Sequence, residues 1–466
     1  MASNPTNPKR SELIRGLGLY SATAIVIGNT IGTGVFLVAS DMTRAVGSAT
    51  LVLAAWVIGG FVVLFGAFCY AELGAAFPQA GGPYVYLSQG LSPLWGFLFG
   101  WMSSVLERPV AMATLAAGFV RFSAFYFPAL EQPRLTTHVS HWVITFTGAQ
   151  LLAALVVVLV TAINYFSVRM SGGIQVLLTS LKIGTILVII FGAMVLAPPH
   201  ANSVQLLAPN YGLGNIRAML TALVPAMWAY NGFNDLGSLG EEISRPEKNI
   251  HRAIILGLLV VGGLYLMANI AYFRVLPAAS VAASSHVASD VVQLFAGSRG
   301  AAWLTAGMAL SALGALHVVC LTGARIPYAM ARDGLFFRFA ERLNPSFHTP
   351  TGGLVVLGSL AALLALTGTY EELYSLFVFA VWIFFALVAI SLLWLRRKMP
   401  ELVRPYRAWG YPWTPIVFLI AAVALTLNLW MVRPIRSSIG LLVILSGVPF
   451  YFRWRKRPAK SGESIS

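Results

Sequence analysis

The chain has 466 residues, of which 58% are hydrophobic and 10% are charged, and its mean hydropathy is +0.77. A soluble domain carries roughly 25% charged residues because its surface must be hydrated, so this composition excludes an ordinary soluble protein and is typical of a membrane protein. The formal net charge of +15 is therefore interpreted as a determinant of membrane topology, and nucleic acid is not an expected partner.

Twelve apolar segments of about 20 residues, the length that spans a bilayer as an α-helix, follow one another along the chain. They lie near 17–43, 47–74, 93–127, 141–166, 173–197, 217–240, 251–277, 299–330, 351–367, 371–396, 413–431 and 436–452. The polar stretch before them lacks the short apolar core of a secretory signal peptide, so segment 1 is predicted to remain in the protein.

The Lys and Arg side chains indicate the orientation. With these segments spanning the membrane, 21 of the 31 basic residues lie on the side of the two termini and eight lie on the other side. Because cytoplasmic loops are enriched in Lys and Arg, both termini are predicted to be cytoplasmic. Short tails without organelle signals suggest the cytoplasmic (cell inner) membrane.

Two of the segments contain residues that interrupt helices. Segment 1 has three glycines within residues 28–34, and segment 6 has proline, asparagine and glycine within residues 225–234. Glycine destabilises a helix interior by about 1 kcal/mol relative to alanine, and unwound backbone at membrane depth must be buried or line a cavity. Close packing through small residues is the alternative interpretation, but two matched breaks five segments apart indicate an inverted repeat.

A broken helix provides ligands for a zwitterion. Free N–H groups around Gly32, Thr33 and Gly34 can hold a carboxylate at the start of the second half-helix. Free carbonyl groups at the ends of the first half-helices, near Ile27–Asn29 and Trp228–Asn231, can hold an ammonium group. Such a site binds the part that all amino acids share.

Six motifs then resemble one family in the order in which that family has them. They are IGTGVF (31–36), AELGAAFPQAGGPYVYL (71–87), RPVAMATLAAGF (108–119), WAYNGFND with EEISRPEKNI (228–235 and 241–250), LGALHVVCLTGARIPYAMARDGLF (313–336) and RPYRAWGYPWTP (404–415). The chain resembles the amino acid–polyamine–organocation superfamily, and within it the L-type amino acid transporter branch. The resemblance covers essentially the whole chain.

The resemblance implies an all-α polytopic membrane protein with the LeuT fold. This fold has 12 transmembrane helices, a 5+5 inverted repeat and broken helices 1 and 6, and it works by alternating access. The predicted organisation is a cytoplasmic tail (1–16), two repeats (17–197 and 217–396), helices 11 and 12 (413–452) and a second cytoplasmic tail (453–466).

Family positions also imply a substrate site. Ile31 and the three residues after it would bind the carboxylate, and Trp228 falls at an aromatic gate. Asn231 departs from a glycine that is common at its position, and Asn234 matches a polar position that faces the site. The complete predicted set of substrate-binding residues is Ile27, Ile31, Gly32, Thr33, Gly34, Trp228, Ala229, Asn231 and Asn234.

Lys182 lies within segment 5, about nine residues from its start, which is roughly 14 Å along a helix. A lysine there costs about 2.5–3.5 kcal/mol on insertion scales and should face the protein interior. The resemblance places it where sodium-coupled relatives of this fold bind a cation, so its ammonium would replace sodium and bond the carbonyls of unwound segment 1. The alternative is a lysine that snorkels to the interface.

Glu107 and Arg108 are adjacent in segment 3 and point about 100° apart. Arg108 is interpreted as structural, bonding backbone or a neighbouring helix. Glu107 has three interpretations: a proton site, a contact for a cationic substrate, or an ion-pair partner of Lys182 or Arg108.

The leading functional prediction is a sodium-independent secondary transporter that exchanges neutral L-amino acids. A proton-coupled symporter, with cationic amino acids or polyamines as candidate substrates, remains an alternative, and a non-transporting amino acid sensor is the alternative from a different class. An enzyme is not expected, because the chain has neither a nucleophile motif nor a phosphate-binding loop.

Neither a metal site nor a cofactor is predicted, since the histidines are scattered and Cys69 and Cys320 lack ligand-like neighbours. The loop 128–140 lacks the cysteine through which animal L-type proteins join a glycoprotein, so a disulfide-linked ancillary subunit is not expected. The expected partners are amino acid substrates and membrane lipid.

Overall fold

The computed structural model describes residues 17–78, 81–139, 142–166, 172–198, 213–343 and 349–455. The predicted tails lie outside these ranges except for residues 453–455. The α-helices of the described residues are α1 (Leu19–Thr30), α2 (Gly34–Val46), α3 (Ala49–Ala76), α4 (Pro83–Gly90), α5 (Pro93–Met102), α6 (Arg108–Ala124), α7 (Gly148–Phe166), α8 (Gly172–Phe191), α9 (Leu213–Ala229), α10 (Pro246–Val275), α11 (Ala278–Ala283), α12 (Val287–Gly323), α13 (Arg325–Arg332), α14 (Thr351–Thr367), α15 (Tyr370–Lys398), α16 (Trp413–Val432), α17 (Pro434–Leu445) and α18 (Gly447–Trp454).

Other helical turns interrupt or extend this set. Ser103–Glu107 and Gly192–Leu196 form π-helical turns, and Pro128–Glu131, Phe233–Glu242 and Arg338–Glu341 form 3₁₀ turns. The first π turn joins α5 to α6, whose second residue is Pro109. Because proline has no N–H, a carbonyl of the preceding turn lacks its helical donor.

The structure confirms a polytopic helical membrane protein. Within the described ranges, eight helices are long and apolar enough to cross a membrane, and the bent pair α1–α2 makes a ninth span if it is counted as one. Three predicted segments fall outside this count: 93–127 is divided by the π turn, 217–240 stops its α-helix at Ala229, and 351–367 forms the 17-residue α14. The total of twelve and the inverted repeat remain predictions.

Two local differences from the predicted elements occur. An antiparallel hairpin of β1 (Pro133–Val139) and β2 (Trp142–Thr147) precedes α7, so the helix predicted from 141 begins at Gly148. Helix α12 begins at Val287, and the sequence predicted a start at 299 because the first turns of this helix are too polar to resemble a membrane span. Gly297, with φ of +64°, kinks the helix close to the predicted start.

Helix α15 is the central element of the bundle. In the most apolar 18-residue stretch of α15, 78% of the residues are buried inside the protein, whereas the corresponding share is 28–50% in the other long spans. Helices α2 and α9 pack against each other, so the breaks of segments 1 and 6 lie side by side next to α15.

Candidate substrate site

Two interrupted helices form the centre of the site. Helix α1 ends at Thr30 and α2 begins at Gly34 with a bend of 43°. Helix α9 ends at Ala229, and Gly232 then takes a φ of +123°, which favours glycine. The breaks touch: a Cβ on Gly34 would lie 2.5 Å from Ala229 Cβ, and one on Gly232 would lie 2.8 Å from the Asn29 carbonyl carbon.

The first break exposes hydrogen-bond donors at the start of α2. The N–H groups of Gly32, Thr33 and Gly34 make no backbone hydrogen bond among the residues described. The first N–H groups of a helix have no intrahelical acceptor, and they carry the positive end of the helix dipole. This geometry suits a carboxylate.

Most carbonyls beside the breaks already accept hydrogen bonds. Lys182 Nζ donates to Gly28 O at 3.0 Å and to Ile31 O at 2.9 Å. Tyr265 OH lies 2.9 Å from Thr30 O and 3.1 Å from Ala229 O, so one hydroxyl bridges the ends of α1 and α9.

Fewer carbonyls are therefore free for an ammonium group than the sequence suggested. The N–H of Ile31 donates to Ile27 O, and that of Asn231 donates to Trp228 O. Asn29 O accepts no hydrogen bond from the part of the chain that the structure describes.

A cavity of about 50 Å³ lies at the breaks. Its wall includes eight predicted site residues: Gly32, Thr33, Gly34, Glu107, Arg108, Trp228, Ala229 and Asn231. The remaining wall residues are Asn29, Thr30, Ala111, Leu115, Gly232, Asp235, Ala315, Val319 and Phe377. The other predicted residues, Ile27, Ile31, Asn234 and Lys182, are buried outside the wall.

One tyrosine joins both breaks at one end of the cavity. Tyr370, the first residue of α15, holds its hydroxyl 2.8 Å from Thr33 Oγ1 and accepts a 3.1 Å hydrogen bond from Trp228 Nε1. The Trp228 ring also packs edge-on against Phe377, with 4.9 Å between ring centroids. These contacts close the cavity on the side toward which α2 runs, and no sequence motif pointed to the role of Tyr370.

An ion pair closes the other end. Arg108 binds Asp235 through two nitrogens, at 2.6 and 3.2 Å. Glu107 lies beside this pair, with Oε1 3.9 Å from Arg108 Nη2 and Oε2 accepting a 2.5 Å hydrogen bond from Ser103 Oγ. Asp235 belongs to the 3₁₀ turn that leads to Ser244, whose N–H bonds the carbonyl before α1, so this is the side on which the described chain begins.

A second buried carboxylate lies on that same side. Glu72, near the end of α3, is 1% exposed and binds Arg396 at 2.6 and 2.9 Å. It also pairs with Arg404 at 3.3 Å and accepts the Ala408 N–H at 2.6 Å. The carboxylate therefore holds the segment between α15 and α16 against α3.

Metal ligands do not cluster in the described ranges, where no group of three His, Cys, Asp or Glu side chains could hold an ion. The cavity wall combines backbone dipoles at the helix breaks with the charged side chains of Glu107, Arg108 and Asp235, which can form hydrogen bonds and ion pairs. A zwitterionic ligand matches these groups.

Known proteins resemble this chain over nearly its whole length. Human b(0,+)-type amino acid transporter 1 is 28% identical over 455 residues, which cover 96% of this chain and 89% of the human protein. The human cystine/glutamate transporter is 28% identical over 97% of this chain and 88% of its own length. Mouse asc-type amino acid transporter 1 is 28% identical, with 97% and 83% covered.

A family model described as amino acid permease matches residues 17–449. This match takes in every motif on which the resemblance rested and every residue of the cavity wall. The resemblance inferred from the motifs is confirmed, and the chain belongs to the amino acid permease family.

Proposed function

We propose that this amino acid permease is a sodium-independent exchanger of neutral L-amino acids that works by alternating access. The substrate carboxylate binds the N–H groups of Gly32, Thr33 and Gly34, and its ammonium group binds Asn29 O. The side chain then faces the apolar part of the wall, at Leu115 and its neighbours. Three of the similar proteins are amino acid transporters by name, which supports the substrate class.

The observation that carries sodium independence is the position of Lys182. Its ammonium bonds two carbonyls of the break, Gly28 O and Ile31 O, and thus supplies a fixed positive charge to backbone oxygens that sodium would otherwise coordinate. A permanently tethered cation removes the need for a transported one.

The two closures of the cavity support alternating access. Opening toward the α2 side requires the hydrogen bonds of Tyr370 to Thr33 and Trp228 to break. Opening toward the opposite side requires Arg108 and Asp235 to separate. Because both closures involve a broken helix, substrate binding at the breaks can bias the choice between them.

We expect Asp235→Asn to lower both the exchange rate, at least fivefold, and the melting temperature. Removing one partner of a buried ion pair costs about 3–5 kcal/mol, because the other charge remains buried, and Glu107, at 3.9 Å, would be the only carboxylate left to pair with Arg108 among the described side chains. Thermal unfolding in detergent and exchange in proteoliposomes measure the two effects. Asp235→Glu, which keeps the charge, is the matched control. Equal exchange rates for wild type and Asp235→Asn would show that the Arg108–Asp235 ion pair does not control opening of the cavity.

Uptake of a radiolabelled amino acid panel into proteoliposomes tests the proposed function. Uptake of neutral amino acids should require internal amino acid and should be unchanged when sodium is replaced by choline. Uptake into empty vesicles that follows a sodium gradient would overturn sodium-independent exchange. Specific binding without flux would indicate a sensor.

A second candidate, proton-coupled uptake of cationic amino acids, rests on Glu107. This carboxyl is 1% exposed, lines the cavity and has only one direct hydrogen-bond donor, Ser103, among the described side chains. A proton or a cationic substrate group would neutralise it.

Under this second candidate, Glu107→Gln abolishes accumulation driven by a pH gradient, because a carboxamide cannot bind and release a proton. Counterflow exchange needs no net proton movement and persists. Both are measured in the same vesicles, with the pH gradient collapsed by an ionophore as the control. Gradient-driven accumulation that survives in the variant would exclude Glu107 as the proton site.

The proposed location is the cytoplasmic membrane with both termini in the cytoplasm, supported by the excess of Lys and Arg on the terminal side. We further propose that the protein works without a disulfide-linked subunit. The loop 128–140 contains no cysteine, and both cysteines of the chain are buried thiols.

A further inference from the structure

A groove of about 190 Å³ lies between α3 and α10, away from the substrate cavity. Its lining side chains are apolar except for the Tyr230 hydroxyl and the indole N–H of Trp56. The lining residues are Trp56, Val57, Gly60, Phe61, Leu64, Tyr230, Leu258, Leu259, Gly262, Gly263 and Leu266. The groove runs beside residues 56–64 of one span and 258–266 of the other, near the middle of both.

Glycines create the depth of the groove. A Cβ on Gly60 would lie 3.1 Å from Tyr230 OH, and one on Gly262 would lie 3.6 Å from the same atom. A Cβ on Gly263 would meet nothing within 4 Å. The groove therefore reaches inward between the two spans as far as the Tyr230 side chain.

The edges of the groove belong to the lipid-facing surface. Val57, Phe61 and Leu259 are 41%, 56% and 55% exposed, and they lie in helices that cross the membrane. Polar loops cannot cover a surface at this depth, because their backbone groups would have no hydrogen-bond partners in hydrocarbon. The groove is thus continuous with a surface that contacts lipid.

We propose that this groove binds one acyl chain of a membrane phospholipid. An extended hydrocarbon chain matches a narrow apolar slot that side chains leave unfilled. Within the membrane, packing favours a bound chain in this groove, because the side chains that line an unfilled groove lack van der Waals contacts on one side.

The bound chain contacts a cluster that reaches the substrate site. Tyr230 packs on Trp56 and Tyr265, with ring centroids 5.5 and 5.4 Å apart, and its hydroxyl donates to Trp56 O. Tyr265 holds the ends of α1 and α9 through Thr30 O and Ala229 O. The acyl chain therefore packs on the ring next to the residue that bridges both breaks.

Photo-crosslinking tests the proposal in proteoliposomes that contain a phosphatidylcholine with a diazirine on its acyl chain. Labelled peptides are quantified by mass spectrometry, with α14, whose Leu363 is 60% exposed, as the reference lipid-facing surface. We expect residues 56–64 and 258–266 to be labelled at least fivefold more than α14 in the wild-type protein. Equal labelling of the groove and α14 would overturn the proposal without any variant.

Gly263→Leu fills the groove, and Gly184→Leu is the matched control because its added Cβ also meets nothing within 4 Å. We expect groove labelling to fall at least fivefold in Gly263→Leu and to stay at the wild-type level in Gly184→Leu, with α14 labelling constant in both. Unchanged groove labelling in Gly263→Leu would overturn the assigned site.

Discussion

Replacing Lys182 with methionine is expected to reduce amino acid exchange at least tenfold while the protein still inserts and folds. Methionine keeps much of the length of the side chain but cannot donate to Gly28 O and Ile31 O, which are 3.0 and 2.9 Å from Nζ. Each buried carbonyl left without a donor costs about 1–3 kcal/mol. About 1.4 kcal/mol corresponds to a tenfold change in an equilibrium, so the break would lose its proper geometry in most molecules.

Exchange in proteoliposomes and monodispersity in detergent measure the two parts of this prediction. Lys182→Ala should show a similar loss, since it removes the same donors and also leaves space. A Lys182→Met variant with wild-type exchange would show that the ammonium is dispensable and that sodium independence has another origin. Loss of folded protein in both variants would instead assign the contact to stability.

The helix breaks were predictable because they depend on residues close together in sequence. Gly28, Gly32 and Gly34 weaken one short stretch, and the structure ends α1 at Thr30 and starts α2 at Gly34. The interruption after Ala229 was signalled by Asn231 and Gly232 in the same way.

Contacts between distant helices were not predictable from one sequence. Tyr370 is hydrogen-bonded to Thr33, which lies 337 residues earlier in the sequence. The residues around a tyrosine at the start of an apolar segment do not indicate which distant residue it will contact. Arg108 was expected to bond backbone or a neighbouring helix, but its specific partner Asp235 depends on how α6 and the 3₁₀ turn pack.

The hairpin within residues 133–147 was not predicted for a different reason, since its strands are close together in sequence. Its residues PRLTTHVSHWVITFT are rich in Thr, Val and Ile, which favour strands, and they are divided by a short polar pair. The apolar content of 142–147 predicts the start of a spanning helix instead. The high share of β-branched residues in this segment was the signal that indicated strands.

The second large expected effect concerns Gly32, where valine should lower substrate affinity at least tenfold. A Cβ at this position meets only Leu115 Cδ2, at 3.4 Å, which is an ordinary contact, so the fold should tolerate it. Its methyl groups would occupy a cavity of about 50 Å³ and keep the carboxylate from the N–H groups of the break. Gly34 is not suited to this test, because a Cβ there would lie 2.5 Å from Ala229 Cβ.

Equilibrium binding of a radiolabelled neutral amino acid to the purified protein measures the effect, and Gly32→Ala should give an intermediate loss because it adds one methyl group. Gly184→Val is the matched control, since nothing lies within 4 Å of its added Cβ. If Gly32→Val binds with wild-type affinity, the carboxylate does not approach this backbone and the site lies elsewhere. If affinity falls in steps from glycine to alanine to valine while thermal stability stays constant, steric access to the helix break determines binding.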